Sequence, residues 1–115
     1  LDPKTYAYWS ERKIKEMTKL QQRLMASAIK SLKPGGTLLY ATCSFAPEEN
    51  EAVIDKALKK HPELQILPIE LPVENHVPGL RQWRKKSYHQ EISQAVRILP
   101  TETMDGFFLC LLYKK

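Results

Sequence analysis

At 115 residues the chain can hold one small domain or a part of a larger one. With 43% hydrophobic and 27% charged residues it has the composition of a folding polypeptide; no apolar run approaches the roughly 20 residues that span a membrane, and its start has no apolar secretory stretch. A net charge of +5 favours polyanionic partners, and two cysteines are too few for a disulfide scaffold, so Cys43 and Cys110 read as reduced thiols in an intracellular, cytoplasmic protein.

Residues 1–9 read as a loop with Pro3, Tyr6, Tyr8 and Trp9 but no period. The missing initiator Met and this mid-loop opening lead us to expect a piece of a longer protein. Ser10 stands where an N-cap would, and Met17, Leu20, Leu24, Met25, Ala28, Ile29 and Leu32 follow Ile14 at steps of one, three and four. That spacing predicts an amphipathic helix of about 20 residues. Lys33-Pro34-Gly35-Gly36 ends it, since Pro cannot continue a helix and Gly supplies a positive φ.

Thr37 to Thr42 is a short, mostly apolar run without alternation, which predicts a strand buried on both faces. Pro47 suits the first turn of a second helix, with Glu48, Glu49 and Glu51 complementing its dipole and Val53, Ile54, Ala57 and Leu58 as its buried stripe. Lys59-Lys60-His61-Pro62 closes it, and Leu64, Ile66 and Leu67 read as a strand that gives way to a proline-bearing stretch over 68–79. Helix, strand, helix with tight loops is the order of an α/β fold. Residues 81–89 form a basic, aromatic loop; Ala95 to Leu99 and Phe107 to Tyr113 read as late strands, the second preceded by an Asp105-Gly106 turn. Two strands after the last crossover helix predict antiparallel pairing at the sheet edge.

Cys43 therefore sits at the carboxyl end of a strand and just before a helix, where ligands of open α/β sheets bind. A helix N-terminus favours a thiolate, so Cys43 is a candidate nucleophile; the alternative is a small core residue. Cys110, inside Phe-Leu-Cys-Leu-Leu, reads as core packing. The three histidines are scattered without ligand spacing, so no metal is expected.

Lys33 to Gly36, Thr42-Cys43-Ser44, Glu48-Glu49-Asn50, the earlier Gln21-Gln22-Arg23-Leu24, and Arg97-Ile98-Leu99-Pro100 with Asp105-Gly106-Phe107-Phe108 form one ordered set. In order and spacing this set resembles the Sun/Fmu-type (Nop2/Sun) RNA cytosine-5 methyltransferases. The resemblance spans roughly residues 9 to 113 and is weakest between 63 and 95. It implies the C-terminal half of a doubly wound, mostly parallel, Rossmann-like methyltransferase sheet with antiparallel terminal strands, residues 1–115 being the C-terminal portion of a catalytic domain. It further implies that Cys43 attacks carbon 6 of a cytosine and that S-adenosylmethionine supplies the methyl group. The partner would be RNA, ribosomal first and transfer RNA second.

The glycine-rich cofactor turn, its acidic partner and the other functional cysteine of the family belong upstream, so we expect the isolated chain to be inactive and to bind no cofactor. Thr42 and Ser44 would orient substrate or shape the turn. Glu49 and Asn50 have a structural explanation in the helix start, while Arg97 and Asp105 would shape the active-site side of the sheet. Arg81, Arg84 and Lys85, with Lys86, Trp83 and Tyr88, either grip RNA by phosphate contact and stacking or form a solvated loop. Two rivals stand beside this reading. One is a non-catalytic RNA-binding or ribosome-assembly module that keeps the fold. The other is a cysteine hydrolase, which would need a base that the motif, lacking His and Asp, does not supply.

Overall fold

The structure, a computed structural model, describes residues 11–44, 46–71, 74–102 and 106–115. The loop expected over 1–9, the Ser10 cap and Asp105 lie outside the described residues. Helix α1 spans Glu11–Ser31 and turns Met25 and Ile29 into the core. Its C-terminal carbonyls at Ile29 and Leu32 accept from Lys114 Nζ at 3.1 and 2.8 Å, a cation placed at the negative end of the helix dipole. Gly35 then takes φ +85°, which a side chain would resist, and its N–H donates to the Lys114 carbonyl at 2.6 Å.

Strand β1 (Thr37–Thr42) follows, then a 3₁₀ turn over Pro47–Glu49, helix α2 (Glu51–Lys60) and strand β2 (Leu64–Leu67). The predicted second helix is thus broken at Asn50, whose φ of −117° and ψ of −93° are not helical. Beyond β2 come β3 (His76–Pro78), the two-residue strands β4 (Gln82–Trp83) and β5 (Lys86–Ser87), a 3₁₀ turn over Gln90–Gln94, β6 (Val96–Ile98) and β7 (Phe107–Lys114).

β1 pairs along its whole length with β7, from Thr37↔Tyr113 to Thr42↔Phe108. The other edge of β7 is shared: β2 takes Leu111 to Lys114, and β6 takes Phe107 to Leu109. β3 adds beyond β6, and β4 and β5 form a separate hairpin. Two expectations are corrected here. Every described pairing is antiparallel, so no mostly parallel sheet is present among these residues. β1 and β2 do run parallel to each other, as a helix crossover demands, but β7 is inserted between them and lies inside the sheet instead of at its edge.

Leu38, Tyr40 and their β7 neighbours Phe108, Cys110 and Leu112 point to one face, against Met25, Ile29, Val53, Ile54 and Leu58 of the two helices. The expectation that β1 is buried on both faces also fails. Thr37, Leu39 and Ala41 point to the opposite face, and Leu39 is 57% exposed because no described element covers it.

Candidate functional site

β1 ends at Thr42, and Cys43 begins the loop that follows, with its side chain exposed. The residues on either side of it are tied down. Asn50 Nδ2 donates to the Ser44 carbonyl at 2.7 Å, and Asn50 Oδ1 accepts from the Thr42 hydroxyl at 2.5 Å. One fully buried amide therefore bridges both neighbours of Cys43. The Ser44 hydroxyl donates to Glu49 Oε2 at 2.7 Å and accepts from the Ala46 N–H at 3.1 Å. Tyr40 donates to the Glu49 carbonyl at 2.6 Å, and burial, reinforced by Glu49 and Cys110, holds its phenol well above the usual range. The result is an exposed thiol on a turn whose backbone has few ways to move.

Asn50 owes this position to the break between the 3₁₀ turn and α2. Its side chain makes no capping bond to the helix and is free to reach back to the cysteine turn. Glu51, one residue on, is also fully buried and accepts from Arg97 Nε at 2.5 Å and Nη2 at 2.6 Å, and from the Leu80 N–H at 2.9 Å. The acids first read as dipole partners thus have other work: Glu49 holds Ser44, Glu51 holds Arg97, and Glu48 Oε1 accepts from the Trp83 indole at 3.1 Å.

The structure brings Thr42, Cys43 and Ser44 together with Glu49 and Asn50. Arg97 is elsewhere in the network: it is buried, pairs with Glu51 and lies over the Phe108 ring at 5.9 Å. Arg81, Arg84 and Lys85 are exposed. Arg84 and Lys85 form the two-residue turn of the β4–β5 hairpin, and the Arg84 guanidinium stacks 5.7 Å from the Trp83 centroid. The Trp83–Glu48 bond fastens this basic hairpin to the segment that holds the cysteine turn. Cys110 is fully buried, opposite Tyr40 in the register, and burial followed by Glu51 and Glu91 pushes its thiol up to about 12.

S-adenosylmethionine needs close backbone approach, supplied elsewhere by glycine-rich turns, and a free acid for its ribose. The described residues do not fit it. Gly35 and Gly36 lie at the opposite end of β1 from Cys43, a Cβ on Gly79 would meet the Ile92 carbonyl at 2.3 Å, and Glu49 and Glu51 are already engaged. No residue here is assigned to the cofactor.

Asn50, Glu48 and the Glu51–Arg97 pair carry roles that the sequence reading did not give them. The available signal was spacing: Glu49 and Glu51 are two apart, so one helical face cannot present both to solvent.

A sequence profile of the 16S rRNA methyltransferase RsmB/F family matches residues 2–113. The tRNA (cytosine(49)-C(5))-methyltransferase of Pyrococcus abyssi is 36% identical over 107 residues, covering 92% of this chain and 34% of that protein. A crystal structure of a methyltransferase homologue from Pyrococcus horikoshii superposes with a TM-score of 0.83 at 36% identity, over 92% of this chain and 33% of that one. NSun6 from Pyrococcus horikoshii, solved with SFG, superposes with a TM-score of 0.71 at 25% identity, over 99% of this chain and 26% of that one. The chain thus spans about a third of the Pyrococcus abyssi relative's length.

Proposed function

Because the chain belongs to the 16S rRNA methyltransferase RsmB/F family, we propose that it is the C-terminal portion of an RNA cytosine-5 methyltransferase in which Cys43 is the attacking thiolate. Relatives in this family methylate ribosomal or transfer RNA at cytosine carbon 5; for this protein we propose ribosomal RNA as the substrate. The observation that carries the reading is the exposed Cys43 side chain on a turn fixed from both sides by one buried Asn50.

Carbon 5 of cytosine is a poor nucleophile. A thiolate that adds to carbon 6 forms the Sγ–C6 bond and pushes the C5=C6 electron pair toward carbon 5, which can then take a methyl group. Loss of the carbon-5 proton then leaves the C5–H electron pair to re-form the C5=C6 bond as the C6–Sγ bond breaks and the thiolate departs, giving 5-methylcytosine. The protein's part is to hold Sγ where a flipped-out base can meet it. An attacking atom at the end of a strand, on a turn pinned to a buried amide, suits that task. Arg81, Arg84 and Lys85 on or beside the hairpin would contact the RNA backbone near the target. Thr42 and Ser44 act through the turn, since both hydroxyls are already engaged within it.

The cofactor half of the domain would precede this chain. Leu20, Leu24 and Leu39 are exposed, and Leu24 and Leu39 line one groove between α1 and β1. A catalytic domain's remaining strands and helices would cover such a surface.

The test is RNA bearing 5-fluorocytosine at the target, incubated with the complete enzyme and S-adenosylmethionine. Fluorine does not leave as a proton does, so the adduct should accumulate and map to the peptide containing Cys43. An adduct on an upstream cysteine, with Cys43→Ala still turning over, would make Cys43 auxiliary. Binding of RNA with no adduct and no methylation would favour a non-catalytic module.

A further inference from the structure

We propose that a second RNA-contacting surface, separate from the cysteine site, runs from the β4–β5 hairpin across α2 to α1 and tracks the phosphates of nucleotides flanking the target. The inference rests on the RNA reading above and extends it. Three clefts on the helical side of the molecule adjoin one another through shared lining residues and are taken together as one groove. The first is lined by Trp83, Arg84, Lys85 and Lys86. It shares Ala52, Lys86 and Tyr88 with a second, where Lys56 and Lys59 of α2 enter. The second shares Gln22 with a third, lined by Lys19, Arg23 and Lys60.

The spacing on each helix explains why the cations converge. Lys19 and Arg23 stand four apart on α1; Lys56, Lys59 and Lys60 stand three and four apart on α2, so each set shares a face. The groove's acids do not neutralise it. Asp55 is engaged by Lys59 Nζ at 2.9 Å and the His89 N–H at 2.7 Å, and the Glu48 carboxylate by the Trp83 indole at 3.1 Å. Lys19, Arg23, Lys60, Lys85 and Lys86 have no carboxylate partner among the described residues. Between the cations the floor carries Ala26, Ala52 and Gln22, small or amide side chains that leave room for a phosphate.

Charge and shape together select the partner. Of the exposed large apolar residues Leu20, Leu24, Leu39, Val77, Trp83, Leu99 and Phe107, only Trp83 lines the groove, which removes the anchor that a protein helix or a membrane would use. A row of cations, most of them without a carboxylate partner among the described residues, with one aromatic at its end suits a polyphosphate backbone with stackable bases. Direction follows from the fold. α2 starts beside the cysteine turn and runs about 15 Å away from it, so Lys60, its last residue, lies away from the target base, whereas Lys19 follows Thr18, whose hydroxyl donates to the Glu48 carbonyl next to that turn.

The hairpin supplies an independent sign. Arg84 sits at φ +55°, in a two-residue turn that normally takes Gly or Asn. A strained arginine at that tip favours a role for its guanidinium over a purely structural loop.

The test uses the complete enzyme with Lys19, Arg23 and Lys60 all changed to Ala. These side chains are exposed and none takes part in the hydrogen bonds that hold the cysteine turn, so the fold and the chemistry should stand. RNA affinity is measured against salt concentration, and steady-state methylation against RNA concentration. Each lost phosphate contact should flatten the log–log salt slope by about 0.7 to 0.9, roughly 2 units in all. KM for RNA should rise with kcat unchanged, and an RNA trimmed to the target loop should show no difference from wild type. An unchanged slope and KM would overturn the groove. Failure of the catalytic reading is distinguishable, because it would appear as no adduct on wild-type Cys43 whatever the triple variant does to the slope.

Discussion

Arg97 and Glu51 are joined by two parallel hydrogen bonds, and the carboxylate has no exposure to solvent at all. The pair ties the first residue of α2 to β6, while the Leu80 N–H takes a further share of the same carboxylate. Removing one partner would leave an uncompensated charge in the interior. Arg97→Leu should therefore cost about 3–5 kcal/mol in chemical denaturation, whereas Arg97→Leu combined with Glu51→Leu should recover part of that loss. A single variant within about 1 kcal/mol of wild type would show that the pair is not holding α2 in place.

Asn50 offers a test of positioning. Asn50→Asp keeps the size but places a carboxylate oxygen against the Ser44 carbonyl in place of the N–H that now bonds it. The cysteine turn should shift, and a shift of about 1 Å should lower kcat roughly 10²-fold with little change in KM for RNA. Asn50→Ala should behave similarly. Wild-type kcat in both variants would mean that the turn holds itself.

Arg84→Gly separates strain from charge. Glycine accepts φ +55° without penalty, so the hairpin should gain about 1 kcal/mol. Loss of the guanidinium should reduce the salt slope of RNA binding by about 1 unit or slightly less. The variant is thus expected to be more stable and a weaker binder. A gain in stability with an unchanged slope would leave Arg84 as a turn residue only.

Alkaline pH should act through three buried acids. Cys110 is raised from 9.0 to about 12, Tyr88 from 10.0 to about 12, and Tyr40 is raised as well, all chiefly by burial. A pH unit or more below 9 all three are protonated whether the chain is folded or not, and stability does not depend on them. Above it the unfolded chain sheds protons that the fold retains, so stability falls as pH rises from 9 toward 12, by up to about 1.4 kcal/mol per pH unit for each group. Urea titrations at pH 8, 9 and 10 should show the decline, and Cys110→Ala should make it shallower. A flat profile would indicate that the thiol can ionise in place.

How far the sequence could be read follows from the range of each signal. α1 and β1 were legible because their apolar spacing and the Pro-Gly-Gly stop are local. The β4–β5 hairpin was not, since Arg84-Lys85 has neither Gly nor Asn to mark the turn. β3 hid behind Pro78, a residue tolerated because β3 is the outer strand beyond β6. Cys43 stood out by its place between a strand and a helix. Asn50 did not, because an asparagine at a helix start ordinarily caps that helix with its own side chain, and here it turns the other way. The position of β7 inside the sheet depends on pairing between distant residues, which no short window contains.

That position has a consequence for the order of folding. Within this stretch β1 and β2 have no described hydrogen-bonded strand neighbour other than β7, and β7 is the last of the elements to be synthesised. Loop closure between such distant segments is slow relative to helix formation, so the two helices can form well before the strand that leads into Cys43 has anything to pair with. Until β7 arrives, the Cys43 turn lacks its base in the sheet. In a nascent chain the Cys43 turn would be present but not yet held, and it would settle only once β7 had been inserted.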